Sequence, residues 1–175
     1  MESVHLPKIQ PNSMKFVSEK IIDAIIDELD NMSEDNYEQQ MEAFSDAQPV
    51  VIAYLFDDEN THLLTEDEKG FLHYICLITW LSYERINGKT EPVGENEIGE
   101  AEEKNYAVLE ASTATKFRQR VDAFFEGYPQ EDLLAFIEEA VLEDEDDPEA
   151  LVTKEGREPL FVAAKSVLDC FLQGE

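Results

Sequence analysis

Apolar side chains recur along most of this chain at spacings of three and four residues, the pattern of helices that each bury one face. Phe16, Val17, Ile21, Ile22, Ile25, Ile26 and Leu29 predict a first helix with a wide apolar face, capped by Ser13 after a lead that contains Pro7 and Pro11. Ser33 then caps a more polar helix bearing Tyr37, Met41 and Phe44. Pro49 fits the first turn of a third helix, through Val51, Ile52, Tyr54, Leu55 and Phe56, because that turn does not use its missing N–H. The acidic loop Asp57, Asp58, Glu59, Asn60 follows. Thr65 and Glu68 have the spacing of a capping box and open the most apolar stretch, Phe71, Leu72, Tyr74, Ile75, Leu77, Ile78, Trp80 and Leu81, which ends near Asn87 and Gly88. This is the expected central helix.

The stretch 88–99, with Gly88, Pro92, Gly94 and Gly99, reads as the longest exposed linker and divides the chain almost in half. From about Glu100 a helical pattern runs to Phe125, with a break expected near Ser112, Thr113 and Thr115. Pro129 is placed to open a further helix through Leu133, Leu134, Phe136, Ile137 and Val141, and a last helix spans about Glu158 to Leu172. The nearest approach to a strand, Val50 to Tyr54, is flanked by Pro49, Leu55 and Phe56 in a way that favours helix. The expected fold is all-α, a bundle of about six to eight helices in one domain.

The halves resemble each other. Tyr37, Gln39, Met41, Glu42, Ala43, Phe44 and Pro49 match Phe117, Gln119, Val121, Asp122, Ala123, Phe124 and Pro129 at a constant offset of 80 positions, and with two extra residues Ala53, Tyr54, Leu55 match Ala135, Phe136, Ile137. A duplication of 13–88 as 97–173 is one account, packed as a short solenoid or about a pseudo-twofold axis; shared burial of amphipathic helices is the other.

Charge narrows the partners. Forty-one acidic residues against thirteen basic ones give a net charge of −28, a field that repels nucleic-acid phosphates and anionic membranes and favours cations and basic protein surfaces, besides keeping the chain soluble. No run reaches the ~18 apolar residues of a membrane span, and Met1 to Gln10 lacks a secretory pattern, so a cytoplasmic location is expected. The two cysteines, Cys76 and Cys170, fall inside apolar helical patterns, where a thiol acts as a small hydrophobe.

Motifs for chemistry are few. Gly88, Lys89 and Thr90 resemble the tail of a phosphate-binding loop, but a helix precedes them and the first glycine would fall at Tyr83. Desolvation of Cys76 opposes a nucleophilic role. Two Glu-x-x-His pairs occur, Glu2/His5 in the lead and Glu59/His62 in a loop, neither on an inward helical face as a dinuclear site needs. Counting from Asp144, Glu155 stands at the twelfth place of an EF-hand-like loop, but Glu149 holds the sixth place, where glycine is required, so a solvated acidic loop is expected. Lys116, Arg118 and Arg120 are a local basic cluster expected to serve internal ion pairs, Arg118 with Asp122. No metal or other cofactor is expected.

Two functional expectations result. The first is a noncatalytic interaction protein whose acidic surface, with Asp57, Asp58, Glu59, Glu143, Asp144, Glu145, Asp146 and Asp147 at its centre, meets a basic partner. The alternative is an enzyme or small-molecule binder with a pocket between helices near His73, Tyr74, Trp80 and Tyr83. Homodimerisation through an uncovered apolar face is a further possibility.

Overall fold

A computed structural model describes residues 14–173. Their helices are α1 (Glu19–Asn31), α2 (Glu34–Ala47), α3 (Pro49–Phe56), α4 (Glu66–Asn87), α5 (Glu95–Ala111), α6 (Phe117–Val121) with a 3-10 turn (Asp122–Phe125), α7 (Glu131–Leu142) and α8 (Arg157–Gln173), with no strand among the described residues. The all-α bundle of the sequence reading is therefore present. Ser13, the Pro7 and Pro11 lead and the Glu2/His5 pair lie outside the described residues.

Local chemistry sets most boundaries. Ser33 accepts a bond from the Asn36 amide at the start of α2, Pro49 occupies the first turn of α3, and Thr65 and Glu68 make both bonds of the capping box of α4. Gly88 ends α4 at φ +80°, a conformation that a side chain disfavours.

Three boundaries differ from expectation. α1 begins at Glu19 after Ser18, because Phe16 and Val17 belong to an extended lead. The linker is only 88–94: Gly94 precedes α5, whose first turn carries Glu95 and Glu97 beside the positive end of the helix dipole, and Gly99 lies within the helix. Pro129 stands two positions ahead of α7, outside it, and Gln130 takes the position before the first helical residue.

α4 and α8 form the centre. Ile75 to Trp80 in α4 and Leu160 to Leu168 in α8 are continuously buried, so these helices are covered nearly all round, whereas α1 buries only the stripe Ile22, Ile25 and Leu29. The two central helices run parallel: Glu68 in the first turn of α4 bonds Thr153 just ahead of α8, and further along Tyr83 and Phe171 stack with centroids 6.3 Å apart. α1 lies antiparallel to α4, tied by Lys15 to Asn87 at one end and by Asp30 to the Tyr74 hydroxyl at the other.

Two glutamines close the opposite end of the bundle from each side. Gln48, ahead of α3, accepts a bond from the Val93 amide and donates to the Glu91 carbonyl; Gln130, ahead of α7, accepts from the Val17 amide and donates to the Lys15 carbonyl. Both are fully buried, with nearly the same backbone angles, φ −132° and ψ 63° against φ −124° and ψ 61°. Each side chain thus pairs the N–H of a buried valine, Val93 or Val17, that would otherwise lose its partner; Gln48 reaches the linker, and Gln130 reaches the lead to α1. By place in the fold Gln130 matches Gln48, an offset of 82 that leaves Pro49 and Pro129 out of register.

Candidate functional site

The acidic loops meet at one end of the molecule. α3 runs into 57–64, which leads to Thr65, and α7 runs into 143–152, which leads to Thr153. One carboxylate joins the two: Glu68 Oε1 accepts the Thr65 amide at 2.9 Å, while Oε2 accepts the Thr153 amide at 2.9 Å and its hydroxyl at 3.1 Å. Glu68 is wholly buried, and these donors replace the water it has lost. Gly156 makes room for it, since a Cβ there would lie 1.9 Å from Oε2.

Asp57, Asp58, Glu59, Glu143, Asp144, Glu145, Asp146 and Asp147 are all exposed at this end. Asp57 and Asp147 fold their own loops, each accepting the amide two residues on at 2.8 Å. Asp58 approaches Lys69 at 3.5 Å. None of the other seven carboxylates forms an ion pair with a described residue. The structure therefore brings together two acidic segments more than eighty positions apart in sequence.

Three of the large apolar side chains left exposed lie in or next to these segments: Phe56, the last residue of α3, at 59%, Leu63 at 58% and Leu151 at 50%. Periodicity alone does not mark these positions as exposed. A signal was available: Leu63, Leu64, Thr65 and Lys69 recur as Leu151, Val152, Thr153 and Arg157 at an offset of 88 positions. Leu64 and Val152 are buried while the leucine before each faces solvent.

The other expected cluster separates into different surroundings. His73 stacks on Phe44, which also stacks on Trp80, and meets the exposed Phe56 ring edge-on at 5.1 Å. Tyr74 faces α1, where burial and Asp30 raise its phenol to about 12. Tyr83 is buried against Phe171 in α8. Trp80 lines an open groove with Ala43, Ala47, Glu84, Thr90 and Pro92. Thr90, once the tail of a loop resembling a phosphate site, is consumed there: its amide and hydroxyl donate to Glu84, and its oxygen accepts from Gln48 and Trp80.

Burial holds the His73 imidazole below its ordinary pKa of 6.5, and its Nε2 is buried without a partner. The unfolded chain therefore takes up this proton more readily, so the stability of neutral His73 is complete above the unfolded pKa and declines as pH falls below it. His73→Phe is expected to flatten the dependence of urea stability on pH between about 7 and 5.5; an unchanged slope would contradict this.

A second polar cluster lies inside the bundle, unanticipated from sequence. The Lys165 ammonium in buried α8 donates to Asn105 Oδ1 at 2.9 Å and to both Asp169 oxygens at 2.9 and 3.1 Å, beneath the rings of Phe124 and Tyr128 at 4.8 and 4.9 Å. Asp169 also accepts from Asn105 and from the Tyr128 hydroxyl, whose pKa burial and Asp169 drive upward. The spacing of Lys165 and Asp169 within an apolar run was the available sign. Every member has a partner, so the cluster reads as a closed internal network rather than an open reactive site.

The basic cluster also serves internal contacts, with different partners from those expected. Arg118 pairs with Glu138 at 2.9 Å, not with Asp122, which the turn from α6 into the 3-10 segment carries elsewhere; Arg120 pairs with Glu158 and donates to the carbonyls of Leu109 and Ala114. Burial pushes the Cys76 thiol well up and the Cys170 thiol to about 12, opposing thiolate chemistry at neutral pH. Among the described residues no group of three or more His, Cys, Asp or Glu side chains is arranged to hold a metal ion, and no helix is long and apolar enough to cross a membrane. No family model, curated protein or solved structure matches this chain.

Proposed function

We propose that this chain is a noncatalytic interaction protein that engages a basic protein through its acidic end, on a scaffold of two related helical halves. The observation that carries the reading is the convergence of 57–64 and 143–152 on Glu68, with only Asp58 of the eight central carboxylates in an ion pair with a described residue. Such a concentration of unpaired charge speeds encounter with a basic surface and opposes acidic or anionic ones. The matched work of Gln48 and Gln130, and of Thr65 and Thr153, supports the duplication. Buried thiols at Cys76 and Cys170 are compatible with a cytoplasmic setting.

The pocket reading has less support, because His73, Tyr74, Trp80 and Tyr83 do not share one opening. The test is affinity capture from native lysate with the wild-type chain and with a variant carrying Asn at 57, 58, 144, 146 and 147 and Gln at 59, 143 and 145. A basic protein that binds the wild type directly after purification, is released as salt rises to about 0.5 M and fails to bind the variant is the expected result. Undiminished, salt-insensitive binding to the variant would overturn the reading.

A further inference from the structure

We infer that the acidic end docks an amphipathic basic segment, one whose apolar side chains seat on Leu63 and Leu151 while its lysines and arginines meet the surrounding carboxylates. This rests on the proposed function and specifies the chemistry of the partner. Leu63 and Leu151 each stand two residues ahead of a threonine held by Glu68, a separation of at most about 7 Å of extended chain on either side. They therefore flank one shared point on the end of the bundle. Each follows an acidic loop and precedes a buried residue, Leu64 or Val152, so both halves keep one leucine inward and one outward at the same place. Phe56 adds a third exposed apolar side chain at the end of α3.

Charge selects the occupant. The exposed leucines follow loops that carry Asp57, Asp58, Glu59 and Glu143 to Asp147, so a second copy of this end would bring like charges together, whereas a basic segment neutralises them as its apolar face loses water. Apolar anchors inside a charged rim are the arrangement of a recognition surface that needs more than charge from its partner.

The full chain is titrated calorimetrically with two synthetic peptides of equal lysine and leucine content, one with leucines along a single helical face and one with them dispersed. The single-face peptide is expected to bind one to one, about tenfold or more tighter than the dispersed peptide, and Leu63→Ser/Leu151→Ser to remove that advantage. Both leucines are exposed, and an unchanged thermal melt verifies that the variant folds. Equal affinity for the two peptides, insensitive to the leucine substitutions, would overturn the docking inference while leaving a purely electrostatic acidic surface. Failure of both peptides to bind at low salt would overturn it together with the reading beneath it. Self-association of the wild type that the leucine substitutions abolish would assign the surface to a second copy and also overturn it.

Discussion

Asp169→Leu is expected to destabilise the fold by about 3–5 kcal/mol, because it leaves the Lys165 ammonium inside the bundle without its carboxylate. Lys165 is held only 7% exposed at its side chain, so water cannot readily take the place of Asp169. Asn105 Oδ1 and the faces of Phe124 and Tyr128 would remain, too little to replace two charge-assisted bonds, and the Tyr128 hydroxyl would lose its acceptor. Matched by place in the first half, counting along α1 from Val17 and along α4 from Thr65, Asn105, Lys165, Ser166 and Asp169 correspond to Leu29, Leu77, Ile78 and Leu81. On the proposed duplication, the positions equivalent to this network are all apolar in the first half. The concerted change Asn105→Leu/Lys165→Leu/Asp169→Leu is accordingly expected to recover the loss apart from about 1–3 kcal/mol for the Tyr128 hydroxyl, which still lacks its acceptor. Urea denaturation of the single and triple variants checks both; a triple variant as unstable as Asp169→Leu would mean that the network is needed for the fold.

Gly156→Ala is the second large effect, expected at about 2–4 kcal/mol from the loss of charge-assisted bonds in a closed site. The new Cβ would lie 1.9 Å from Glu68 Oε2 and 2.6 Å from its carboxyl carbon. A glutamate tip on the surface would simply swing away, but this one is wholly buried and holds Thr65 and Thr153. In a Glu68→Ala background the same substitution is expected to cost much less, since the colliding atoms are gone. A double-mutant cycle measures the difference, and equal costs in the two backgrounds would sever the link between Gly156 and Glu68.

What could be read from sequence was the chemistry that acts over a few residues. The capping box of Thr65 and Glu68, the cap at Ser33, Pro49 in a first turn and Gly88 after α4 all depend on near neighbours and stand where expected. Periodicity alone misplaced the start of α1: Val17 is buried because Gln130 receives its extended backbone, and a burial pattern does not distinguish that from a helix turn. Gly99 made 95–99 look like linker, although one exposed glycine costs a helix only about 1 kcal/mol.

The site was legible in its charges and not in its geometry. Both acidic loops stand out in composition, but their meeting depends on Glu68 and Thr153, 85 positions apart. The second task of Glu68, across the molecule, is invisible to a local motif. The recurrence of Leu63 as Leu151 marks a shared place but not its exposure, which packing decides, and the Lys165–Asp169 spacing shows a charge pair but not the Asn105 and Tyr128 that other elements bring to it.

The decisive measurement is hydrogen–deuterium exchange of the full chain, alone and saturated with the single-face lysine–leucine peptide. Slower exchange is expected in 57–65 and 143–153 together, with 88–94 at the opposite end unchanged. Protection confined to the groove of Trp80, Thr90 and Pro92, with both acidic loops exchanging as in the free chain, would contradict docking at the acidic end and move the function to that groove.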